Sequence, residues 1–382
     1  MTVLGDPNPE LTFGQKLRNT SWGLILLVCV TTGFGFAMLY SVAGGSIDPW
    51  VSRQMVRFGI GLTLMIAVAF IDLRLWLRLA YPFYGVALLL LVVVDLVGTT
   101  GQGAQRWVDL GPFTLQPSEL MKIALVLALA RYFHSLAPED VGKLRWLIVP
   151  AALAAAPAIL VLREPDLGTA ILLLAGAAMV VWLAGARWWL FAATLVAAAA
   201  AIPLGWDFLH GYQQDRILTF LDPERDPLGA GYHIMQSKIA LGSGGIWGKG
   251  FLLGTQSQLS FLPEKQTDFI FTTLAEELGL TGSLLLLSLY TAILGLGFVI
   301  AIKARSQFGR LLAMGMTATF FLYVFINVAM VMGLVPVVGV PLPLISYGGT
   351  AMVTIMLSFG LVLSVAIHRD LPVPRKPGLE TP

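Results

Sequence analysis

Long apolar runs, each closed by a short polar or glycine-rich interval, set the rhythm of this chain. About 20 apolar residues cross a bilayer. Against that length the pattern predicts ten membrane helices, at about 22–41, 55–72, 79–98, 117–133, 147–162, 168–185, 188–205, 279–302, 309–334 and 349–368. The fourth and fifth are short, and Pro157 falls in the middle of the fifth. An even number of crossings returns both termini to one side. A single long polar interval, 206–267, separates the seventh helix from the eighth, and no internal repeat is visible. Residues 1–382 therefore read as one all-α polytopic membrane domain, with a large loop at 206–267 and a short tail at 369–382.

Basic residues in the short loops choose the orientation. One side carries Lys16, Arg18, Arg74, Arg78, Arg131, Lys143, Arg145, Arg187, Lys303, Arg305, Arg310, Arg369, Arg375 and Lys376, which is 14 of the 24 Lys and Arg residues. The opposite short loops hold only Arg53, Arg106 and Arg163, with Arg57 just inside the second helix. Both termini are expected in the cytoplasm and the long loop outside. That loop is rich in glycine and aromatic residues, which predicts order rather than a solvated linker.

Composition agrees with a membrane class. Hydrophobic residues make up 57% of the chain, charged ones 12%, and mean hydropathy is +0.80. Soluble domains carry about 25% charged residues, so a soluble enzyme with one anchor is excluded. A net charge of +2 without a basic run gives no footing for nucleic acid. Cys29 is the lone cysteine, so the chain forms no internal disulfide. His134, His210, His233 and His368 are scattered and have no metal-ligand spacing. The polar first twenty residues and the length of the first apolar run argue against a cleavable signal peptide.

Polar chemistry concentrates at the outer ends of the predicted helices. In QPSELMK, Pro117 and Ser118 resemble a helix start, and Glu119 and Lys122 share a helical face, where an ion pair lowers the cost of both charges. In REPDLGT, Asp166 stands where a carboxylate caps the sixth helix, beside Arg163 and Glu164. GSGGIWGKG misses the phosphate-loop spacing: five residues separate Gly242 from Gly248, and Gly250 follows Lys249 where Ser or Thr is required. Lys249 on a flexible loop remains a candidate phosphate contact beside the plainer reading of a turn. In FLPEKQTDFIFTTLAEELG, Pro263 ends the preceding segment and Thr267 or Asp268 opens a helix. Residues 268–302 number 35, too many for one crossing, so the first turns are expected to form a separate outer piece. Asp268 there is either a cap or a base that Lys265 keeps ionised.

Five segments in order, RWVDLGPFTLQPSELMK, EPDLGT, ALGSGGIWGKG, QSQLSFLPEKQTDFIFTTLAEELG and NVAMVMGLVPVVGVPLPLISYGGT, closely resemble the SEDS family (shape, elongation, division and sporulation) over nearly the whole chain. The wording QSQLSFLPE resembles the elongation type more than the division type. The resemblance implies a GT-C-like peptidoglycan glycosyltransferase of the bacterial inner membrane, polymerising lipid II on the outer face. It implies Asp268 as the essential aspartate of the TDF motif. Substrate contacts are expected from Arg53, Arg106, Gln116, Glu119, Lys122, Asp166, Lys249, Lys265, Thr267 and Ser346, with Glu119 and Asp166 shaping the cavity. Undecaprenyl pyrophosphate is the implied leaving group, and a divalent cation, magnesium or manganese, is the one cofactor left open.

The implied partner is a class B penicillin-binding protein, its single helix on an apolar flank of the last two helices, alongside other elongation-complex proteins and membrane lipid. Gln266 departs from the family, which usually has His before Thr-Asp, and Gln exchanges no proton near neutral pH. A lipid II flippase, a division-type polymerase and a pure scaffold stand as the competing readings. Charges gathered at the outer ends, without a matching cytoplasmic set, favour the enzyme over the flippase.

Overall fold

The computed structural model describes residues 11–101, 104–109, 114–137, 139–204, 211–222, 225, 230–258 and 264–374. Asp207, Glu224 and Asp226 of the long loop, Pro263, and Arg375 and Lys376 of the tail lie outside the described residues.

The described chain is mostly helical. Its helices are α1 (Phe13–Asn19), α2 (Trp22–Val42), α3 (Trp50–Phe70), α4 (Leu73–Val97), α5 (Pro117–Ser135), α6 (Leu144–Arg163), α7 (Leu167–Leu183) and α8 (Trp188–Leu204). They continue as α9 (Gly211–Leu221), α10 (Ala230–Ser243), α11 (Thr255–Gln258), α12 (Ile270–Lys303), α13 (Gln307–Val331) and α14 (Gly349–Ile367). Each of the ten expected segments overlaps a helix. Seven of the described helices are long and apolar enough to cross a membrane: α2, α3, α4, α6, α12, α13 and α14. The other three fall short for physical reasons. α7 and α8 have 17 residues each, and α5 carries Glu119, Lys122, Arg131 and His134.

α5 has the environment of a core element rather than a lipid-facing one. Sixteen of its residues are buried, and it packs between α4, α13, α7 and α6. Its polar residues are therefore shielded from lipid by neighbouring helices. α14 runs along α3 and is buried on nearly every side. The two last helices thus offer no common outer flank: α13 exposes Phe321 and Phe325, whereas α14 is enclosed. Elsewhere the exterior is apolar, with Leu26, Ile60, Leu89, Leu284 and Phe298 exposed on α2, α3, α4 and α12, as a hydrocarbon solvent requires.

Three features differ from the expectation. α3 begins at Trp50, so Arg53 lies in its first turns rather than in a loop. The connection before α5 folds into a three-stranded antiparallel sheet of β1 (Thr99–Gly101), β2 (Ala104–Asp109) and β3 (Thr114–Leu115), pairing Thr99 with Trp107 and Val108 with Leu115. Finally, α12 is two helical pieces joined at Gly279, whose φ of 65° and ψ of −160° are not helical. That break divides the long run as its length demanded. The described parts of the long loop carry α9, α10 and α11.

Gly279 also explains GSGGIWGKG. The amides of Lys249 and Gly250 donate to the carbonyls of Glu276 and Glu277, and those of Leu280 and Thr281 to Gly245 and Ile246. A side chain at Gly279 would collide with the backbone of Gly248 and Ile246, and one at Gly248 with the Glu277 carbonyl. The glycines let two backbones touch at a kink; they do not cradle a nucleotide.

Candidate functional site

The TDF segment is a turn before α12, not its first residues. The Glu264 carbonyl accepts from the Thr267 amide at 3.0 Å and from the Thr267 hydroxyl at 3.1 Å, and the Glu264 carboxylate accepts from that hydroxyl at 3.0 Å. Phe269 is the N-cap of α12, which leaves Asp268 one residue outside. Gln266 turns its side-chain amide toward Glu264, at 3.4 Å.

The connection between α13 and α14 grips this turn from the other side. Ser346 Oγ donates to the Thr267 carbonyl at 2.6 Å and accepts from the Leu342 amide at 2.8 Å. The Tyr347 amide donates to the Gln266 carbonyl at 2.8 Å. Asn327, fully buried in α13, sends Nδ2 to the carbonyls of Asp268 (2.9 Å) and Val340 (2.7 Å). Gln54 of α3 adds a bond from Nε2 to the Ser346 carbonyl at 3.0 Å. Asp268 itself is half-buried, and its Oδ2 lies 3.5 Å from where a side chain at Gly339 would begin. A half-buried carboxylate so fixed at its backbone has the chemistry to take a proton from a docked hydroxyl.

A second polar group adjoins it. A side chain at Gly168 would overlap the Val338 carbonyl, so the start of α7 is pressed against the residue next to Gly339. Asp166 caps α7 as expected, accepting from the Thr169 amide at 3.1 Å and hydroxyl at 2.9 Å. Gln116, the N-cap of α5, reaches Asp166 Oδ2 at 3.4 Å. Arg106 of β2 approaches that oxygen at 3.8 Å while donating to the backbone carbonyls of Glu164 (3.1 Å) and Pro165 (2.5 Å). Just inside, Lys122 pairs with Glu119 Oε1 at 2.5 Å and also donates to Tyr323, whose hydroxyl donates to Glu119 Oε2 at 2.8 Å. Lys122 and Glu119 are both 4% exposed, so each charge is answered within the protein. Tyr323 and Asn327 stand four residues apart on α13, one on the ion pair and the other on Asp268.

The remaining expected residues divide sharply. Lys249 is not on a free loop: its ammonium pairs with the buried Glu276 at 2.6 Å and donates to Thr255 at 2.8 Å. The reason is the Gly279 kink, which brings the glycine turn onto α12. Arg53 is exposed on α3. Lys265 lines an open cavity of about 280 Å³ with Val42, Gly44, Pro49, Trp50 and Gln258, and partial burial pulls its pKa below the usual lysine value. Among the described residues no three His, Cys, Asp or Glu side chains gather to hold a metal ion.

Sequence reading passed over Arg57, Asn327, Tyr323, Gln54 and Glu164 as site residues. Most are single polar positions inside apolar helices, a signal that exists but does not say which way the side chain faces. Glu164 is the most unusual. It is 3% exposed, neither carboxylate oxygen has a hydrogen-bond partner among the described residues, and burial followed by Asp166 and Asp95 pushes its pKa up to about 8 against the opposing pull of Arg106.

The chain as a whole matches known proteins in sequence and fold. The chain is 45% identical over 369 residues to the peptidoglycan glycosyltransferase MrdB of Escherichia coli K12, covering 96% of this chain and 98% of that protein. It is similar to a chain of a peptidoglycan synthase complex in which polymerization and crosslinking are structurally coordinated, with a TM-score of 0.81 and 35% identity over 92% of this chain and 99% of that one. The crystal structure of the rod shape determining protein RodA of Thermus thermophilus matches with a TM-score of 0.69 and 31% identity, over 92% and 98% of the two chains. Residues 21–371 match the FtsW/RodA/SpoVE family of cell cycle proteins, and the chain, a multi-pass membrane protein, belongs to that family.

Proposed function

We propose that the chain is a peptidoglycan glycosyltransferase that polymerises lipid II at the outer face of the cytoplasmic membrane for cell elongation, with Asp268 as base. The observation that carries the catalytic assignment is the clamp on the TDF turn. Asn327, Ser346 and Tyr347 hold its backbone, and Asp268 as a whole is half-buried.

The proposed reaction is the one the family resemblance implies. The acceptor's GlcNAc 4-hydroxyl attacks the anomeric carbon of the donor's MurNAc. Its proton passes to Asp268 as the new C–O bond forms. The bond from that carbon to the phosphate oxygen breaks, and the electron pair leaves with undecaprenyl pyrophosphate. One displacement inverts the α linkage to β. Gln266 takes no proton, so base catalysis falls to Asp268 alone. Lys265, which lines the 280 Å³ cavity, and Arg106 are assigned to substrate contact, whereas the Glu119–Lys122–Tyr323 group and Asp166 hold neighbouring helices in place. Lys249 supports α12 instead of meeting phosphate.

A class B penicillin-binding protein is the proposed partner, supported by the likeness to a synthase complex. Its helix is better accommodated by α13, with Phe321 and Phe325 exposed, than by the enclosed α14. Both termini are assigned to the cytoplasm from the distribution of basic residues.

The test compares the unmodified chain with Asp268→Asn, each purified with its transpeptidase and supplied with labelled lipid II. Glycan strands from the unmodified chain and none from the variant are expected. Equal polymerisation by both would remove Asp268 from the chemistry. Movement of lipid II between vesicle leaflets without polymerisation would make the protein a flippase.

A further inference from the structure

Cations able to face the departing diphosphate are fewer than the sequence suggests. Lys122 is neutralised by Glu119, Lys249 by Glu276, and Arg106 is shared between Asp166 and two backbone carbonyls. Arg57, on α3 one turn beyond Arg53, is held differently. Its guanidinium lies over the Tyr347 ring, 4.6 Å from the centroid. Its Cζ and Nε are 3.3 Å from where a side chain at Gly349 would begin. Among the described residues no carboxylate forms an ion pair with it. Nη1 is shut off from solvent with no acceptor, although the residue as a whole stays partly exposed.

This cation adjoins the reaction centre. Tyr347, on which it stacks, is bonded through its amide to Gln266, two residues from Asp268. A guanidinium with an unmet donor is costly in a partly dry place. A carboxylate would relieve it permanently, and none is supplied. The stack instead fixes the planar fork and leaves its charge unspent. An anion with several oxygens would answer both the charge and the donor, and the substrate brings one.

We propose that Arg57 is a substrate-binding residue that grips the diphosphate of the lipid-linked donor, with Tyr347 orienting its guanidinium. The role rests on the polymerase reading above. As the anomeric C–O bond breaks, negative charge grows on the diphosphate oxygens, and bonds from Arg57 strengthen with it. Arg53, four residues earlier on the same face of α3, extends the cationic surface outward.

The full-length chain in detergent, with inorganic pyrophosphate as the probe, tests this. In the unmodified chain pyrophosphate is expected to compete with labelled lipid II and to raise the thermal unfolding midpoint. Arg57→Gln should weaken pyrophosphate inhibition and lower kcat/KM each roughly tenfold, and Arg57→Lys should recover part of both. Unchanged pyrophosphate inhibition and kcat/KM in Arg57→Gln would overturn the assignment.

Should the glutamine variant fail to fold, Arg57→Lys decides: a pyrophosphate inhibition constant equal to that of the unmodified chain defeats the proposal, and a raised one supports it. A parallel arm replaces pyrophosphate with phosphatidylglycerol vesicles. If Arg57→Gln loses only the stabilisation by phosphatidylglycerol, the residue serves a membrane lipid and the proposal fails. Absence of polymerisation by the unmodified chain would sink the polymerase reading. Pyrophosphate stabilisation lost in Arg57→Gln would then still support the anion site, and stabilisation retained would defeat it.

Discussion

Asp268 and the pair Glu276–Glu277 lie within ten residues of one another, yet the fold treats them in opposite ways. Glu276 and Glu277 are fully buried. Glu276 is answered by Lys249, Thr255 and the Gln256 amide, and Glu277 by the Ser41 hydroxyl at 2.6 Å. Their charge holds the glycine turn and α2 against α12. Asp268 is only half-buried, and its backbone carbonyl is held by Asn327. A carboxylate whose oxygens are spent on structure has little left to offer a reaction. One whose backbone is clamped while its tip stays at the rim can change partners without unfolding its surroundings.

That contrast can be broken from either end. Asp268→Asn should lower kcat roughly 100- to 10,000-fold, the range for loss of a general base, while the unfolding midpoint in detergent stays put. Glu276→Ala should do the reverse. It strands Lys249 beside a buried site and is expected to cost about 3–5 kcal/mol of stability, read as a large fall in unfolding midpoint before any activity is measured. If Glu276→Ala kept its stability and lost only turnover, the division between scaffold and chemistry would be wrong.

Between these extremes lies the clamp. Asn327→Leu leaves the carbonyls of Asp268 and Val340 without their donor and should cost about 1–3 kcal/mol, with a fall in kcat because the aspartate loses its support. Ser346→Ala removes the bond to the Thr267 carbonyl and should cost about 1 kcal/mol, with a smaller fall in kcat at nearly unchanged KM. Single-turnover kinetics on the two variants would separate slower chemistry from weaker binding.

The last effect is read against pH. Glu164 has its pKa raised from 4.5 to about 8, so the folded chain holds a proton that the unfolded chain releases. Its contribution to stability is complete below pH 4.5 and is lost as pH rises toward 8. Thermal unfolding from pH 5 to 9 should show the unmodified chain losing ground to Glu164→Gln across that window. Parallel curves for the two would mean that Glu164 is ionised in the fold.

Much of this was legible in the chain itself. Apolar runs separated by polar intervals located a helix for every expected crossing, because lipid admits no other spanning element to a sequence without barrel-like alternation. The excess length of 268–302 foretold the break at Gly279, and Asp166 as a cap and Glu119–Lys122 as a pair follow from helical spacing alone. The three-stranded sheet before α5 was hidden because its strands are short and flanked by glycine. Lys249 was misjudged because its partner lies 27 residues away, beyond any local pattern.

By itself, then, the sequence determined a helical membrane protein, its polar end, and the aspartate on which the chemistry is proposed to turn. The first two depend on hydropathy and on spacing within one or two helical turns, and the aspartate was singled out by the family resemblance. Only the tertiary structure decided which charges were used up and which were left over. Lys122 and Lys249 were expected to contact substrate and Arg57 was not, and it is the lysines' buried carboxylate partners, contributed by packing, that set them apart from Arg57. A charge in a low-dielectric interior is defined by its nearest neighbours, and those neighbours are chosen by how the helices meet.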